Sequence, residues 1–98
     1  MKHFIVEINY TIPAEQLGEV TNQHRAFLQG GYDQGWLLYS GPRVPRTGGI
    51  VLARAPSLAD LQDFFKNDPY VLNNIATYQF VEFQPVKYNP ILEGWVNE

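Results

Sequence analysis

From Phe4 to Tyr10 apolar and polar positions alternate. Phe4, Val6, Ile8 and Tyr10 fall on one side, with Ile5, Glu7 and Asn9 on the other. This two-residue period predicts a strand with one strongly apolar face. The period then changes. Leu17, Val20, His24, Phe27, Leu28 and Gly31 recur at three- and four-residue steps, which places them on one face of a helix. Pro13 suits the first turn of that helix and Glu15 its positive end. The pattern therefore predicts a helix from Pro13 to Gly30-Gly31, or a few residues beyond toward Gly35, weakened slightly at Gly18.

"WLLYSGP" predicts a second strand ending at Gly41-Pro42, "RVPRTGG" is a turn-rich loop, and "GIVLARA" predicts a third strand paired with the second as a hairpin. Ser57 followed by Asp60 has the form of a capping box, opening a second helix through Leu58, Leu61, Phe64 and Phe65. "NDPYV" starts a short extra turn, and "ATYQFVEFQPVKY" predicts a long fourth strand. Residues 1–89 then read as one domain and residues 90–98 as a C-terminal tail.

The order strand, helix, strand, strand, helix, strand predicts an α+β, ferredoxin-like βαββαβ fold. Its helices cover one face of a four-stranded antiparallel sheet. In the fourth strand Tyr78 and Phe80 lie on one side while Val81 and Phe83 lie on the other. Apolar residues on both sides need cover on both sides. The sheet of a second subunit would supply it, giving a homodimer joined through sheet faces.

Composition narrows the function classes. At 98 residues, with 45% hydrophobic and 17% charged residues, the chain has the makeup of one small globular domain rather than of a disordered segment. With no cysteine there is no disulfide framework, thiolate nucleophile or zinc knuckle. A net charge of −3 and the lack of any basic run argue against a nucleic-acid partner. The apolar stretch in "MKHFIVEINY" is short and broken by Glu7, too weak for a signal peptide or membrane span, so a cytoplasmic protein is expected. His3 and His24 are the only histidines, and no HExxH, EF-hand or Walker pattern occurs, so neither a metal nor a cofactor is expected.

The imidazole in the apolar stripe is the first candidate for chemistry. His24 would sit between helix and sheet, and histidine is the usual general acid or base because its reference pKa of about 6.5 lies near working pH. The plainer reading is a packed histidine bonded to a backbone carbonyl. Asp68 precedes Pro69 and has the form of a helix N-cap with proline at the first helical position. An acid near His24 would also hold its tautomer, but sequence spacing leaves open whether the two meet. Arg43, Arg46 and Arg54 lie in or near the hairpin loop and could receive an anionic substrate, with plain solvation the alternative for Arg43 and Arg46. Arg25 points off the stripe toward the helix edge, and Ser40-Gly41-Pro42 ends a strand where backbone could approach a ligand closely.

Taken in order, "HRAFL" on the first helix, the glycine-bearing turn before "WLLYSGP", and "NDPYV" before the last strand resemble the YciI-like (YCII-related) family of small dimeric α+β barrel proteins. The resemblance spans nearly the whole chain. It implies a sheet-to-sheet dimer and a pocket in which His24 and Asp68 lie together as a catalytic pair. Ser40, Gly41, Pro42 and Tyr70 would contact a small-molecule substrate there, with Arg25, Arg43 or Arg54 as candidate anion contacts. It also implies cofactor-free proton-transfer chemistry on small oxygenated rings, of the kind seen in a hydroxyhydroquinone dehydrochlorinase and in muconolactone isomerase. The chain would then be a lyase or isomerase, the alternative being a ligand-binding or accessory protein without turnover. The hairpin loop is short, and Leu92 and Trp95 in the tail are candidates to cover either the pocket or a partner subunit.

Overall fold

The computed structural model describes residues 1–98. Its elements are β1 (Lys2–Tyr10), α1 (Val20–Asp33), β2 (Leu37–Pro42), β3 (Gly48–Ala55), α2 (Leu58–Phe65), α3 (Pro69–Leu72), β4 (Ala76–Phe83) and α4 (Glu93–Val96). Short 3-10 turns occupy Ala14–Gln16 and Pro90–Leu92. The four strands form one sheet in the order β2-β3-β1-β4, every pair antiparallel, as the ferredoxin-like reading requires. Central β1 sets Val6 against Val51 of β3 on one side and Phe80 of β4 on the other.

The alternation read from β1 becomes the floor of the core. Phe4, Val6 and Ile8 are buried with Val51, Ala53 and Ala55, beneath Leu17, Leu28, Leu61, Phe65 and Tyr70. The N-cap half of the capping box before α2 is formed, with the Asp60 N–H donating to Ser57 Oγ at 3.1 Å, while the Asp60 carboxylate accepts from the Ser57 hydroxyl at 2.8 Å rather than from the Ser57 N–H. Gly31 lets α1 settle closely, because a Cβ there would lie 2.7 Å from Leu37 and 2.9 Å from Phe64.

Two boundaries differ from the pattern. The helix expected from Pro13 is broken: Ala14–Gln16 make a single 3-10 turn and α1 begins only at Val20. Gly18 lies between them at φ +56°, a left-handed conformation that no α-helix can run through. Leu17 is buried nonetheless, so the apolar stripe is honoured without a continuous helix. The fourth strand stops at Phe83 rather than near Tyr88, because its neighbour β1 ends with His3 opposite Phe83 and Pro85 has no N–H to offer.

On the sheet face away from the helices, Val81 and Phe83 remain 39% and 41% exposed. The tail covers one end of this face. Buried Arg54 donates from Nε to the Gly35 carbonyl at 2.9 Å, from Nη1 to the Trp95 carbonyl at 2.9 Å and from Nη2 to Glu98 Oε2 at 3.2 Å. Its guanidinium also lies 4.2 Å over the Trp95 ring. No helix is long and apolar enough to cross a membrane.

Candidate active site

His24 takes the inward position its place in the α1 stripe dictates and is 7% exposed. Its ring stacks on Tyr70, with centroids 4.0 Å apart and planes 13° from parallel. Nδ1 lies 2.9 Å from Asp68 Oδ1 and 2.8 Å from Oδ2. An ionised carboxylate only accepts hydrogen bonds, so Nδ1 carries the hydrogen and, in the neutral form of the ring, the lone pair sits on Nε2. Nε2 makes no hydrogen bond within the chain, and His24 lines a cavity of about 270 Å³.

Asp68 itself does not reach that cavity. It is 0% exposed and caps α3, accepting the Tyr70 N–H at 3.0 Å on Oδ1. The phenol of Tyr78, from β4, donates to Oδ2. A buried carboxylate is costly unless each oxygen is satisfied, and these donors from α1, α3 and β4 meet that need. Burial, together with the nearby Asp68 charge, pushes the Tyr78 hydroxyl far above its ordinary range, so it stays a neutral donor. The capping role and the partnership with His24 therefore coexist in one side chain.

The cavity opens between α1, the end of β1 and the β2–β3 hairpin. Ser40, Gly41 and Pro42 line it, as do Arg25 and Tyr70. The Tyr70 hydroxyl donates to Thr21 Oγ1 at 3.1 Å, and burial raises its pKa. Ser40 Oγ and the Tyr32 hydroxyl are 2.7 Å apart. Two arginines singled out from the sequence are elsewhere. Arg43 donates to Asn9 Oδ1 at 2.7 Å and to Thr47, tying the hairpin together. Arg54 alternates with Val51 and Ala53 along β3 and so points through the opposite sheet face to the tail. Neither lines the cavity. Trp95 likewise lies with Arg54 and not over the cavity.

Sequence reasoning passed over Tyr10, Thr21 and Tyr32 as lining residues, took Tyr78 only as an apolar strand position, and left Arg46 between an anion contact and plain solvation. Tyr10 and Tyr78 could have been found, because both occupy helix-facing positions in strands adjacent at Ile8 and Tyr78. Arg46 carried no such signal. It is in a loop, and its guanidinium is held more firmly protonated by the Tyr10 hydroxyl.

Sheet order, covering helices and a carboxylate-backed histidine lining a cavity define a small ferredoxin-like α+β protein. The YCII-related domain family matches residues 2–84, and the chain belongs to that family. Among solved structures, it is similar to 5-chloro-2-hydroxyhydroquinone dehydrochlorinase (TftG) from Burkholderia phenoliruptrix AC1100, determined in complex with 2,5-dihydroxybenzoquinone. The two share a TM-score of 0.64 and 17% identity, over 89% of this chain and 95% of that one. No curated protein matches the chain by sequence.

Proposed function

We propose that the chain is a cofactor-independent lyase or isomerase acting on a small oxygenated ring, with His24 as general base and Asp68 as the group that orients it. One observation carries this reading. Nδ1 of His24 is fixed on a fully buried carboxylate, which leaves Nε2 without a partner in the chain on a residue that lines the cavity. Asp68 also offsets the positive charge that forms on the ring when Nε2 takes a proton. Tyr70 limits the ring's rotation by stacking on it.

The chemistry named for the similar dehydrochlorinase shows what such a base can do. His24 removes a hydroxyl proton from a chlorinated hydroquinone, and the ring collapses to a ketone as that proton is delivered to the carbon bearing chlorine. A second hydroxyl then loses its proton. The electrons pass through the ring, the carbon–chlorine bond breaks, and chloride leaves with the bonding pair. The products are a quinone, chloride and a proton. The departing chloride removes the two electrons, so no external oxidant is required. An isomerisation of a lactone needs only the first half, a proton taken from one carbon and returned to another.

The same reading makes the chain a homodimer through the sheet face that leaves Val81 and Phe83 part-exposed. The experiment is turnover of chlorinated hydroxyhydroquinones and small unsaturated lactones by wild type and His24→Ala, with sedimentation and circular dichroism on the same samples. A loss of about two to four orders of magnitude in a folded dimeric variant is expected. Full activity in His24→Ala would sink the catalytic reading. A ring compound that stabilises the wild type yet is recovered unchanged would make this a binding protein instead.

A further inference from the structure

The charge in the cavity wall is one-sided. Arg25 and Arg46 both line it, and no Asp or Glu does. Neither arginine is within ion-pair distance of a carboxylate anywhere in the chain, although the chain as a whole is acidic at −3. The one acid nearby, Asp68, is fully buried behind His24 and spent on Nδ1, Tyr70 and Tyr78. The two guanidiniums come from different elements, Arg25 from α1 and Arg46 from the β2–β3 loop. Arg46 shares the cavity wall with Tyr10 and Tyr70, and Tyr70 is the ring stacked on His24. Guanidinium donors of this kind suit a planar oxyanion.

We propose that the cavity selects a monocyclic organic anion, its negatively charged group held at the mouth by Arg46 and Arg25 while the opposite edge of the ring meets His24. The shared chemistry is a planar oxyanion on a single ring, whether a ring carboxylate or the ionised oxygen of an acidic hydroxyquinone. This inference deepens the reading above and rests on it for the reacting edge, but its test is binding rather than turnover. A neutral quinol would enter the same space without the contact that fixes its orientation. Salt weakens such exposed attractions, since the screening length falls from about 10 Å at 0.1 M to about 3 Å at 1 M.

The test is calorimetric titration of wild type, Arg46→Gln, Arg25→Gln and the double variant with three probes: 2,4-dihydroxybenzoate, 2,5-dihydroxybenzoquinone and neutral hydroquinone. At least one anionic probe should bind wild type about tenfold or more tighter than hydroquinone, corresponding to roughly 1.4 kcal/mol. The preference should shrink in each single variant, vanish in the double one and weaken at high salt. Which anion binds more tightly separates the carboxylate from the quinone oxyanion. Both arginines are exposed, so their replacement leaves the core intact. Equal affinity for hydroquinone, no binding of any probe, or a preference that survives in the double variant would overturn the proposal. His24→Ala separates the two readings, because it should abolish turnover while keeping the preference for anions.

Discussion

At the scale of single residues, the candidate site is a carboxylate held by groups from three elements. Tyr78 is the contributor whose removal is easiest to interpret, because phenylalanine keeps its packing against Phe65 and Phe80. Tyr78→Phe takes away one donor to a buried charge and is expected to cost about 1.5–3 kcal/mol of stability, measured by urea denaturation. A cost near zero would mean that the phenol is dispensable to Asp68. The residue scale is also where sequence reading succeeded unevenly. His24 was visible because it interrupts an apolar stripe, and Asp68 because it precedes a proline. Their meeting was not legible in the spacing and came only from the family resemblance, since 44 positions separate them and only the docking of α3 against α1 closes the gap. Arg54 was misplaced for a simpler reason. Without knowing which side of β3 faces the helices, a strand arginine near a loop cannot be assigned to one face of the sheet.

At the scale of elements, the periodic patterns located every strand and both main helices, and failed where a backbone conformation overrides periodicity. Gly18 is the case in point: the stripe runs through it, but its positive φ divides the segment into a turn and a helix. Nothing in the spacing of apolar residues records a dihedral angle. Close approach is equally silent in sequence. A Cβ on Gly48 would stand 1.8 Å from the backbone oxygen of Ile8 and 2.4 Å from Arg43, where β3 begins its pairing with β1. Since backbone cannot move aside as a side-chain tip can, Gly48→Ala is expected to cost about 1–3 kcal/mol or more and to loosen the hairpin carrying Ser40 and Arg46. Gly41→Ala, which meets nothing within 4 Å, is the matched control. Equal melting temperatures for the two variants would refute the argument.

At the scale of the whole molecule, the two faces of the sheet have separate duties. The helix side holds the cavity, and the opposite side carries the tail. His3 lies under that tail, 6% exposed, between the edges of Phe83 and Trp95, with Nε2 unpartnered. Burial lowers its pKa from the ordinary 6.5, reinforced by the Met1 ammonium and Arg54 and opposed by a hydrogen bond to the Val96 backbone. The fold thus favours the neutral ring, so below about 6.5 the unfolded chain binds more protons than the native one. The stability that His3 contributes is complete above that value and is lost as pH falls through the lower native pKa. Between pH 8 and pH 5 the melting temperature of wild type should fall further than that of His3→Gln, and parallel curves would exclude the linkage. The tail's attachment could not have been read in advance. The contacts that make it, from Arg54 and the start of β1, are remote in sequence from residues 90–98.

Asp68 stabilises α3 as its cap whether or not any reaction occurs at His24. Selection on folding alone would therefore retain it in a descendant that had stopped turning over substrate. Across relatives, an aspartate at this position would be poor grounds for assigning activity. His24 is the better diagnostic, because capping α3 asks nothing of its ring and only the imidazole supplies a base.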